Sequence, residues 1–130
     1  WTKQAECWNA GFEDGVCDVD EDTKEMMEAL IELAIEETNL AFTKSAINTQ
    51  LNLVHMYRTN YVEKNRAENS LHDLRNGKKE GLENIHELRE EKGADLVQMI
   101  VGTPQWCGWA YLGPSKEKMF SVTRDDCATG

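Results

Sequence analysis

At 130 residues, 40% of them hydrophobic, the chain is sized for one domain with a modest core. Its 24 acidic against 14 basic residues give a formal charge of -10, which argues against nucleic acid and anionic membrane surfaces, because both call for clustered Lys and Arg. No apolar run approaches the roughly 20 residues needed to cross a bilayer, so no membrane insertion is expected.

Residues 1–21 read as a loop, with Gly11, Gly15, two cysteines and an acidic run through Asp18 and Asp20 to Asp22. The numbering opens at Trp1 without an initiating Met or a leader, and the expectation is a piece of a longer protein. A helix is predicted from Asp22, where Asp22-Thr23-Lys24-Glu25 has capping-box spacing. Met27, Leu30, Ile31, Ala34, Ile35, Thr38, Ala41 and Phe42 then fall on one helical face, and Asn48-Thr49 ends it. Gln50–Val62 alternates partially and predicts a strand. Glu63–Asn69 reads as a loop, and a second helical region runs from about Ser70 to Lys92, interrupted near Asn76-Gly77 and stopped by Gly93. Leu96–Val101 is an unbroken apolar run, as in a strand covered on both faces. Two further strands follow, Gly108–Gly113 and Met119–Thr123. This order indicates an α/β fold with a mostly parallel sheet.

The cysteines form two local pairs in sequence, Cys7 with Cys17 and Cys107 with Cys127, without zinc-knuckle spacing. Four cysteines allow three pairings, and the sequence does not choose among them; proximity makes the two local bridges the expectation. Bridges of this kind suit a secreted or extracellular protein.

Several patterns imitate active chemistry. His86-Glu87-Leu88-Arg89-Glu90 begins like H-E-x-x-H but ends in Glu, and two ligands do not make a zinc site. Asp18, Asp20 and Asp22 imitate half of an EF-hand, whose sixth and twelfth positions are here Thr23 and Ala29. Gly77-Lys78-Lys79 lacks the spacing of a phosphate loop. No complete catalytic set is present, and no metal ligand is expected within residues 1–130.

Gly108-Trp109-Ala110-Tyr111-Leu112-Gly113 alternates small with large residues and is followed by Pro114. Such a segment suits an edge strand whose free backbone pairs with an extended peptide. In that reading Gly108 and Ala110 let a ligand approach, Trp109 and Tyr111 anchor the strand, and Pro114 ends it.

Gly93-Ala94-Asp95-Leu96-Val97, Cys107 to Leu112, Phe120-Ser121-Val122 and Asp126-Cys127-Ala128-Thr129-Gly130 together resemble the reprolysin-like (adamalysin-type) metzincin endopeptidases. Trp1-Thr2-Lys3-Gln4-Ala5 resembles the end of that family's first strand, Ile35–Asn39 the end of its first helix, and Leu51–His55 its second strand. The resemblance implies an N-terminal subdomain filling residues 1–130, with a twisted, mostly parallel sheet, one antiparallel edge strand and two main helices. Most of the first strand and the zinc helix would lie outside it. It also implies zinc in the complete enzyme, held by the H-E-x-x-H-x-x-G-x-x-H helix beyond Gly130. The expected role is the upper wall of a substrate cleft, with a peptide or protein substrate along Gly108–Gly113. A non-catalytic structural or binding module, taking a partner strand at the same edge, is the alternative.

Overall fold

The computed structural model describes residues 1–103, 105–113 and 115–130. Thr2 opens the first helix, α1 (Lys3–Asn9), by accepting the Ala5 N–H on its hydroxyl oxygen. The expected loop over residues 1–21 is therefore corrected over its first half. Seven residues are too few for an apolar period to register, and the buried side of α1 is Ala5, Glu6 and Cys7. Phe12–Cys17 turns back through Gly15, whose positive φ of 65° suits glycine, so that Cys17 bonds Cys7.

The long helix α2 (Glu21–Lys44) starts one residue earlier than its acidic sequence suggests. Asp20 is the N-cap, and its side chain and that of Thr23 each bond the other's backbone N–H. Of its apolar face only Met27 is fully buried, with Leu30 and Ile31 half-buried against the same cluster. The predicted strand over Gln50–Val62 is corrected. This stretch carries one parallel bridge, Thr59 to Thr2, and is otherwise outside any ladder. Its backbone partners are scattered: Asn39 binds both polar groups of Leu51, Tyr57 O accepts the Trp1 amino group, and Thr59 N–H donates to Trp1 O.

The second helical region divides as its glycine indicates. Helix α3 (Ala67–Asn76) ends at Gly77 and α4 (Ile85–Lys92) at Gly93, both left-handed caps. Among the described residues four α-helices thus replace the two expected. Three strands follow, β1 (Val97–Val101), β2 (Gly108–Ala110) and β3 (Phe120–Arg124), in the order β1-β3-β2. β1 runs parallel to β3, and β2 runs antiparallel to it. The sheet is small and mixed rather than mostly parallel.

β1 is covered on both faces only over Met99–Val101, since Gln98 is exposed and Leu96, just before the strand, is 55% exposed. Met99 and Val101 meet Leu71, Leu74, Leu82, Ile85, Phe120 and Val122, while Ile100 turns to Trp1, Ala5 and Met27. Helices therefore cover both sides of the sheet, and each fully buried aliphatic side chain contributes about 1.5–3 kcal/mol. Arg89, buried beneath Phe120, spends its guanidinium on the carbonyls of Ala94, Asp95 and Lys116 and so fixes α4 to the start of the sheet.

Candidate functional site: the edge strand β2

β2 stands at the open side of the sheet, with all three residues exposed. Its register sets Gly108 opposite Thr123, Trp109 opposite Val122 and Ala110 opposite Ser121. The Arg124 N–H donates to Cys107 O at 2.9 Å, so the alternating antiparallel pattern makes Trp109 and Val122 the next bonded pair. The N–H and C=O groups of Gly108 and Ala110 then point away from β3, to the open edge. They are the groups that an added strand would use.

The residues singled out by sequence divide in role. A Cβ on Gly108 would lie 2.9 Å from Val122 O, so its own sheet partner requires a glycine here. Tyr111 is half-buried against the main cluster and carries the Arg75 guanidinium 4.8 Å from its ring centroid. Trp109 is 39% exposed, and with Trp106 at 63% and Leu112 at 90% it leaves an apolar rim along the strand. Gly113 follows with φ of 118°, and a Cβ there would lie 3.2 Å from Lys118 Nζ. Pro114, expected to end the strand, lies outside the described residues.

Disulfides clasp both ends of the domain. Cys107–Cys127 ties the entrance of β2 to the 3-10 turn Asp125–Cys127 after β3. Cys7–Cys17 closes the loop after α1. At the second clasp, burial pushes the Asp125 carboxyl up to about 6, with Asp126 adding to the shift. Arg124 pairs with Asp126 and also reaches Cys127 Sγ at 3.5 Å.

The patterns that imitate metal chemistry have structural occupations. His86 Nε2 lies 2.8 Å from the Arg75 carbonyl and its ring meets Phe120 edge-on, while Glu90 pairs with Lys116. Asp20 caps α2, and Asp18 and Asp22 are exposed. Among the described residues no three His, Cys, Asp or Glu side chains converge to hold a metal, so a zinc centre does not fit this part of the protein.

Sequence reasoning missed Glu6, which is fully buried and accepts from Trp1 Nε1, Thr23 Oγ1 and Arg58. It also missed Glu63, which takes the Thr2 and Thr103 hydroxyls and the Gly102 N–H. Neither has a local signal, because apart from Trp1, five residues from Glu6, the partners lie 17 to 61 residues away.

The family description "Metallo-peptidase family M12B Reprolysin-like" matches residues 28–129. The chain belongs to the reprolysin-like metallopeptidases. Its relatives include a peptidyl-Asp metalloendopeptidase of Stenotrophomonas maltophilia (strain R551-3), 29% identical over 105 residues, which is 80% of this chain and 25% of the relative. A peptidyl-Asp metalloendopeptidase of Xanthomonas campestris pv. campestris is 28% identical over the same shares of the two chains. The chain spans about a quarter of the length of these curated relatives. No solved structure matches it. The match runs from within α2 to two residues past Cys127, so the reprolysin-like region takes in α3, α4, the whole sheet and the Cys107–Cys127 bridge. Among the described residues no helix is long and apolar enough to cross a membrane.

Proposed function

We propose that this reprolysin-like domain is the upper wall of the substrate cleft in a secreted zinc endopeptidase, and that β2 holds an extended peptide antiparallel to itself. The observation that carries the reading is the open edge of β2, where Gly108 and Ala110 present N–H and C=O groups away from β3. Backbone pairing along such an edge aligns a peptide without demanding a particular sequence, and the exposed Trp106, Trp109 and Leu112 add apolar contact beside it. The Cys107–Cys127 bridge holds the entrance of the strand in register, so less order must be gained on binding. Both disulfides fit an extracellular setting. The residues described do not hold the metal; in the complete enzyme it would be zinc, supplied from outside them and serving to activate water. The relatives' name extends the proposal to substrates cleaved at aspartyl peptide bonds.

The test is Ala110→Pro in the full-length protein that contains this chain. Proline removes one outward N–H while leaving the Trp109–Val122 pair intact, a substitution that edge strands tolerate. The expected result is a fall in kcat/KM of about tenfold for peptide cleavage, roughly one charge-free hydrogen bond in a desolvated cleft, with an unchanged melting temperature. Unchanged cleavage by the variant contradicts the cleft role of β2. A full-length protein that cleaves no peptide but binds a partner strand at this edge supports a non-catalytic module instead.

A further inference from the structure

We propose that Arg75, with Lys118 near Gly113 as a second cation, receives an acidic side chain of the peptide lying along β2. The assignment rests on the edge-strand reading above and adds the residues that choose among substrates. Two cations stand over the C-terminal end of the edge strand: the Arg75 guanidinium lies on the Tyr111 ring, and Lys118 Nζ lies next to Gly113. Among the described residues neither has a carboxylate within 4.0 Å, although the chain carries 24 acidic residues. Their cationic neighbours Lys116 and Arg89 are already committed, one to Glu90 and the other to three backbone carbonyls. Glu117 has other engagements: its own backbone N–H and Ser115 hold its carboxyl below the usual range, with Arg75 a lesser influence.

Geometry places this charge where a peptide side chain would come. Trp109 shares its side of the sheet with Val122 of the main cluster, and Tyr111, two residues on, packs against that same cluster beneath α3. An added strand would lie about 4.8 Å beyond β2, with every second side chain on this side. A side chain opposite Tyr111 thus falls within reach of the guanidinium stacked on that ring. The Arg fork matches a carboxylate, and stacking fixes its plane before the ligand arrives. A chain of net charge -10 repels acidic peptides at long range, so selecting them requires fixed local cations of this kind.

The experiment uses the full-length protein and peptides that differ at one position, Asp, Asn or Lys. Wild type should favour Asp over Asn by about three- to tenfold in kcat/KM, the range of a partly exposed charge pair. Arg75→Gln should bring that ratio to about 1, Arg75→Lys should keep part of it, and Arg75→Glu should turn the preference toward Lys. Because each figure is a ratio measured on one preparation, partial unfolding of a variant does not change it. An Asp-to-Asn ratio unaltered by Arg75→Gln overturns the assignment while leaving the edge-strand reading intact. If wild type cleaves peptides but Ala110→Pro cleaves as well as wild type, the edge-strand reading falls and the Arg75 assignment with it.

Discussion

The two disulfide clasps hold opposite kinds of structure. Around Cys7–Cys17 both half-cystines are buried, and the neighbouring Glu6 is fully enclosed with Trp1, Thr23 and Arg58 satisfying its oxygens. Around Cys107–Cys127 the first half-cystine is exposed and the strand it leads into is exposed throughout. The same covalent bond therefore serves two ends. In the first, polar groups turn inward and saturate one another, which leaves nothing for a ligand. In the second, the bond fixes a strand whose outward polar groups have no partner among the described residues. A satisfied hub is scaffold, whereas an open edge held rigid is what the proposed peptide pairing needs.

The comparison breaks most visibly if Glu6 is not the hub of the first clasp. Glu6→Ala leaves Arg58 and two buried donors facing a cavity, and should cost about 3–5 kcal/mol in denaturant unfolding. A loss below about 1 kcal/mol would mean that the hub carries little of the stability. Next come the bridges themselves. Replacing both cysteines by serine should cost about 4 kcal/mol at Cys7–Cys17 and about 3 kcal/mol at Cys107–Cys127. The shorter loop loses more here because the new hydroxyls would be buried. Graded reduction followed by mass mapping should open Cys107–Cys127 first, and the reverse order would contradict the burial difference.

The smallest effect is a pH dependence confined to the second clasp. The Asp125 carboxyl titrates near 6 when folded, above its ordinary 3.8. Below the ordinary value both states are protonated and the contribution is fully present. As pH rises from about 4 to 6 the unfolded chain ionises first, so stability falls and then levels. The loss should be about 1 kcal/mol, and Asp125→Asn should flatten the profile. Urea unfolding at pH 4 and pH 7 measures it; a wild-type slope that persists in the variant assigns the dependence to another group.

Much of this contrast was legible in the residues. Gly77 and Gly93 announced the helix ends, and Leu96–Val101 and Met119–Thr123 had the run lengths of strands, each within one residue of its observed bounds. Local spacing also suggested the two clasps that the structure contains. Other features depended on what lies across the fold. Gln50–Val62 has strand composition, yet Thr59 makes its single bridge with Thr2, because a ladder depends on a neighbour as well as on propensity. α1 hid because its buried face contains a charge, and a buried Glu reads as surface until its partners are known. Arg75 was likewise invisible: its position over Tyr111 joins residues 36 apart in sequence, and no local pattern links them.

The central claim is that β2 is an edge prepared for a peptide, and amide hydrogen exchange at Gly108 and Ala110 tests it most directly. In the full-length protein free of ligand, both amides should exchange rapidly while Trp109, bonded toward Val122, is protected. Adding an extended Asp-containing peptide at saturating concentration should slow Gly108 and Ala110 by at least about tenfold, as expected for amides newly engaged in a ladder. Binding of that peptide with no change at either amide would contradict the account, as would strong protection of both before any peptide is added.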